Sequence, residues 1–89
     1  MTKNYSVAIH LLNGIKPNAK LMSRLEKSLE VQGFPYICVC EAATFTGYIL
    51  YYNQNHQKLT KPAATKIIAY FQNIKNYKAE FNNKVLCKQ

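Results

Sequence analysis

The side chains best suited to chemistry in this chain are three cysteines, two histidines and four carboxylates. Cys38 and Cys40 are separated by a single residue within an apolar, β-prone run, Tyr36 to Cys40. In a strand this spacing puts both thiols on one side, roughly 7 Å apart. With Cys87 and either His10 or His56, four metal ligands can be counted. Zinc sites usually separate paired cysteines by two to four residues, and Cys-x-Cys does not fit that pattern. The cysteines therefore read as small core fillers, and no metal or cofactor is expected. A cysteine nucleophile needs a histidine within hydrogen-bond reach, and nothing in the spacing brings one there. No catalytic residue is assigned, and a non-enzymatic protein is expected.

The carboxylates narrow the chemistry further. All four are Glu (Glu26, Glu30, Glu41 and Glu80), and there is no Asp. Metal-dependent phosphoryl transfer needs clustered carboxylates to hold its cation. Glu26 and Glu30 are one helical turn apart with Lys27 between them, which reads as a solvated helix face.

The basic side chains point elsewhere. Twelve Lys and Arg against four acidic residues give a formal charge of +8 on 89 residues. Such a bias bears on partners, not on fold, and favours nucleic acid or an acidic protein surface. Eleven of the twelve are Lys, and Arg24 is the single Arg. Lys is a mobile phosphate contact, whereas bidentate reading of guanine relies on Arg. Contact with the phosphate backbone, in RNA or DNA, is therefore expected rather than base reading by side chains. Lys58, Lys61 and Lys66 cluster around one helix start, while Lys75 and Lys78 punctuate the C-terminal part. No apolar run approaches the ~20 residues needed to span a bilayer, and no leader follows a basic start. The chain reads as soluble, cytoplasmic and thiol-reduced, with no membrane partner.

The elements that must position these groups are legible in turn. Residues 4–12 alternate, with Tyr5, Val7, Ile9 and Leu11 on one face and Ser6, Ala8, His10 and Leu12 on the other. Asn13 and Gly14 mark a turn. Leu21, Leu25 and Leu29 recur every four residues, Met22 widens the stripe, and a helix over 17–32 follows. Pro17 suits its first turn, and Gly33 suits its C-terminal cap. Residues 36–42 and 47–53 form a hairpin around a short connection that carries Phe45. Residues 53–59 are polar and read as a loop. Thr60 can cap a second helix over 61–75, with Pro62 in its first turn and Ala64, Ile67, Ile68, Phe71 and Ile74 as its stripe. Alternation resumes at 76–80, with Tyr77, Ala79 and Phe81 on one side. Residues 84–87 either extend that strand or form a separate one.

One domain is expected over residues 1–89. The order strand, helix, strand, strand, helix, strand is most simply met by an α+β ferredoxin-like sandwich with right-handed crossovers. Four antiparallel strands then carry two helices on one face and leave the other face open. On that face the sequence places His10. The parity of residues 47–53 stays open: either Tyr48, Leu50 and Tyr52 face the helices, or Ile49 and Tyr51 do. Either choice leaves a Tyr outward. RNA-recognition modules stack bases on aromatic rings of such a sheet. Their signature is matched here only at Gly47 and Tyr48, so no membership is assigned.

The expected function is a small nucleic-acid-binding protein using Lys and an open, Tyr-bearing sheet face. Its candidate residues are His10, Phe45, Tyr48, Tyr51, Tyr52, Lys58, Lys61, Lys66, Lys75 and Lys78. The alternative is a protein–protein module. It would be a homodimer, or an inhibitor or adaptor encoded by a phage or mobile element that docks on a nucleic-acid-handling or defence complex.

Overall fold

A computed structural model of the protein describes residues 6–35, 37–52, 61–82 and 86–88, with Tyr52 described by its backbone only. Six elements follow in order: β1 (Ser6–Leu11), α1 (Ala19–Val31), β2 (Ile37–Glu41), β3 (Gly47–Tyr52), α2 (Lys61–Gln72) and β4 (Tyr77–Asn82). The expected α+β ferredoxin-like arrangement is present. The sheet runs β2-β3-β1-β4 with every neighbouring pair antiparallel.

Local chemistry sets the ends of α1. Asn18 holds extended backbone, and its side-chain oxygen accepts from the Leu21 N–H at 2.8 Å, which satisfies one of the free N–H groups of the first turn. Pro17 thus precedes the helix instead of opening it. At the other end Gly33 takes φ +94. Its N–H donates to the Glu30 carbonyl (3.1 Å) and the Phe34 N–H to the Leu29 carbonyl (2.8 Å). This is the paired-bond Schellman closure, which brings Phe34 back over Leu29. Asn13 (φ 59) and Gly14 (φ 78) make the expected turn after β1. Asn13 donates a side-chain hydrogen bond to Asn76, itself at φ 78, in the turn before β4.

The core lies between the sheet and the two helices. Val7, Ile9, Leu11, Ile37, Tyr48, Leu50 and Ala79 of the strands meet Leu25 and Leu29 of α1 and Ala64, Ile67 and Phe71 of α2. Pro62 lies in the first turn of α2 as expected. That helix ends at Gln72, short of the expected boundary, and Ile74 packs on the core from the following turn. The parity of β3 is resolved: Tyr48 and Leu50 face the helices, and Ile49 and Tyr51 pair with Ala8, Cys38 and Cys40 on the opposite face.

The cysteine reading requires correction. Cys40 and Cys87 form a disulfide across 47 residues, and Cys38 is the free thiol. Cys87 bridges Ala42, with the Ala43 N–H donating to the Leu86 carbonyl and the Lys88 N–H to the Glu41 carbonyl. The chain thus returns from β4 at one edge of the sheet to β2 at the other. The sequence leaves residues 84–87 either to prolong the last strand or to form a separate one. Cys87 makes a separate bridge, while Lys84 lies outside the described residues. So do Tyr5, Tyr36, Thr60 and the polar loop containing His56 and Lys58. No helix among the described residues is long and apolar enough to cross a membrane.

Candidate nucleic-acid interface

Two surfaces compete for a functional role, and the first is the sheet face turned away from the helices. His10 lies there as expected. Its Nε2 is 2.7 Å from Glu80 Oε1, and its ring centroid is 4.3 Å from that of Phe45. Phe45 has folded back from the hairpin tip over the sheet. It covers Gly47, where an added Cβ would come within 2.0 Å of the Ile9 carbonyl oxygen and 3.0 Å of the Phe45 ring. Only a glycine permits that approach between β1 and β3.

Among the described residues this face does not offer a stacking platform. A base-stacking sheet needs aromatic rings exposed on its two central strands. Those strands are β1 and β3, and the residues at the middle of their outer face are Ala8 and Ile49, 3 % and 1 % exposed. Tyr51 is half-buried beside Cys38. Tyr48 is completely buried on the helix side, so it is not a partner-binding residue. The side chain of Tyr52 and all of Lys58 lie outside the described residues. Lys78 is exposed on β4 opposite His10, and Lys75 is exposed in the turn before it.

The second surface is the seam between the helices. At about 100° per residue, Lys20, Arg24, Lys27 and Val31 of α1 fall within roughly 60° of one another. Glu26 and Glu30 project on the other side of the buried Leu25–Leu29 stripe. One compartment of the seam, about 560 Å³, is walled by Leu29, Phe34, Ala63 and Ile67, with Lys66 and Tyr70 at its rim. An adjoining compartment of about 330 Å³ is lined by Arg24, Lys27, Ser28 and Val31. Tyr70 and Gln32 belong to both and stand between them. Among the described residues no carboxylate lines either compartment. Lys61 is exposed at the start of α2, outside the lining of both.

Among the described residues no buried side-chain nitrogen or oxygen lacks a hydrogen-bond partner. The Asn18 N–H donates to the Tyr48 hydroxyl, and that hydroxyl donates to the Asn18 carbonyl, each at 3.0 Å. Burial pushes the Tyr48 phenol up from its ordinary value, while the Asn18 hydrogen bond opposes and nearby Glu41 adds to the rise. Tyr77 is also pushed up by burial and by its proximity to Tyr48, with Arg24 opposing.

Among the described residues no three His, Cys, Asp or Glu side chains gather as a metal site would require. Of the ten residues selected from sequence, the structure joins His10 to Phe45 and sets Lys66 in the seam. It leaves Lys61, Lys75 and Lys78 dispersed. Sequence reasoning missed Arg24, Lys27 and Tyr70, although the spacing of Lys20, Arg24 and Lys27 is itself a helical-face signal. No family model, curated protein or solved structure matches the chain.

Proposed function

We propose that this protein binds nucleic acid through its phosphates, in the seam between α1 and α2. The observation that carries the reading is that half-buried Tyr70 borders two adjoining compartments, one lined by Arg24 and Lys27 and the other by Lys66, with no carboxylate in the lining among the described residues. A net charge of +8 supplies the long-range attraction. The Lys-based phosphate contact expected from sequence is kept, but the open sheet face gives way to the helical face. Binding to a labelled oligonucleotide at low and at moderate salt tests this. Affinity falls steeply as salt releases the advantage of displaced counterions. No binding at low salt retires the proposal.

A specific feature favours a second reading. Val31 is highly exposed at the smaller compartment, and the larger one has Leu29, Phe34, Ala63 and Ile67 in its walls. An acidic peptide with one apolar anchor would match that combination. Light scattering combined with capture from a lysate separates this reading from the first: a clean monomer that retrieves no protein counts against it. The disulfide bears on where either activity is possible. In a reduced cytoplasm Cys40 and Cys87 would stand as two thiols, whereas an oxidising compartment keeps the C-terminal return fastened.

A further inference from the structure

We infer that the helical seam accepts an unpaired nucleotide, with its base against Tyr70 in the apolar compartment and its phosphates on the Arg24–Lys27 side. This rests on the phosphate-binding reading and adds to it the state of the nucleic acid. A surface that bound phosphates alone would need only exposed cations. Here the cations stand beside an open recess of about 560 Å³ with Leu29, Phe34, Ala63 and Ile67 among its walls. That volume is enough to receive a small ring against one wall of an open groove. A nucleotide has the matching division of properties, a flat apolar ring joined to an anion.

Tyr70 and Gln32 occupy the boundary between the two compartments, where a base would pass. The Tyr70 ring packs edge-on against the core residue Phe71, with centroids 5.0 Å apart. Stacking on such a ring tolerates any base, because each base has a π-face. Gln32 is exposed and carries both a donor and an acceptor, so it can meet whichever base edge is presented. A base held in a duplex is stacked and paired and cannot enter the recess. Preference for single strands therefore follows from the shape of the site.

The test uses fluorescence anisotropy with three probes at low salt: a labelled oligothymidylate, the same length of abasic strand, and a duplex of equal length. The expected result is that oligothymidylate binds about tenfold or more tighter than the abasic strand. Tyr70→Ala should abolish that difference, whereas Tyr70→Phe should keep it, with circular dichroism confirming that both variants fold. Equal binding of the intact and abasic strands overturns the inference and leaves phosphate binding standing. Duplex bound as tightly as single strand overturns it in the same way. Failure of all three probes at low salt overturns the phosphate reading itself. Polyglutamate displacing the strand from wild type but not from Tyr70→Ala also overturns the inference, because it assigns the recess to an acidic polypeptide.

Discussion

The Tyr48 hydroxyl both accepts from the N–H and donates to the carbonyl of Asn18, the residue that caps α1. A core phenol on the central strand β3 is thereby fastened to the start of the helix that carries Arg24 and Lys27. Tyr48→Phe removes both bonds and leaves the Asn18 N–H without its partner. The expected loss is about 1–3 kcal/mol of stability in urea unfolding, with oligonucleotide affinity essentially retained. A loss of affinity with unchanged stability would contradict the assignment of Tyr48 to the core.

The same phenol predicts a pH dependence. The folded state holds the protons of Tyr48 and Tyr77 more tightly than the unfolded chain does, because burial disfavours the phenolates. Below about pH 10, the ordinary phenol value, both states are protonated and the contribution is fully present. Above it the unfolded chain ionises first, and stability falls as pH rises toward the folded values. The urea midpoint should drop on the alkaline side of pH ~10. The drop should be shallower in Tyr48→Phe, which has one fewer phenol to release.

Gly47 offers a steric prediction. A methyl group at this position would come within 2.0 Å of the Ile9 carbonyl oxygen, a backbone atom that cannot rotate away. Gly47→Ala should therefore force β1 and β3 apart and cost about 1–3 kcal/mol in thermal or urea unfolding. Phe45→Ala leaves the strands in place and uncovers His10 and Gly47, so its effect should be smaller. The reverse ranking would show that Phe45, not the backbone approach, sets the constraint.

These relationships also show which parts of the molecule were readable in the chain. Alternation at Val7, Ile9 and Leu11, the Leu21–Leu25–Leu29 stripe and Gly33 are local signals, and each element they imply is present. Residues 47–52 were ambiguous because they are apolar on both parities. The physical reason is that both faces of β3 are covered: helices lie over Tyr48 and Leu50, while Ile49 is buried on the opposite side. The Cys40–Cys87 pairing depends on the chain crossing from one sheet edge to the other, and no local pattern encodes that. The basic stripe of α1 was present in the spacing. Its place beside Tyr70, which also borders the compartment that holds Lys66, exists only once the two helices share a sheet.

The disulfide has a measurable weight. Closing a loop of 47 residues is worth about 4 kcal/mol in the chain-entropy account, and measured values are commonly 2–4. Cys87→Ser and Cys40→Ser should each lower stability by about that amount, and Cys38→Ser should change it far less. The native, unreduced protein should react with a chromogenic thiol reagent at one site per chain, and the unfolded reduced protein at three. Three reactive thiols in the unreduced unfolded protein would show that the bond is absent and return the chain to the thiol-reduced state expected from its sequence.

The charges of the seam give a prediction that distinguishes a built interface from diffuse basicity. On single strands the logarithm of affinity falls with the logarithm of salt by about 0.7 for each phosphate neutralised. If Arg24, Lys27 and Lys66 each meet a phosphate, replacing all three with Gln should reduce that slope by about 2. It should also weaken binding at low salt by orders of magnitude. Replacing Lys61, Lys75 and Lys78 removes the same formal charge from positions outside the lining of the seam. That variant should keep most of the slope, because it lowers only the general field. Urea unfolding of both variants should be nearly unchanged, since exposed cations contribute little to folding. Equal losses of slope in the two variants would mean that the strand reads net charge alone and that the seam has no special standing.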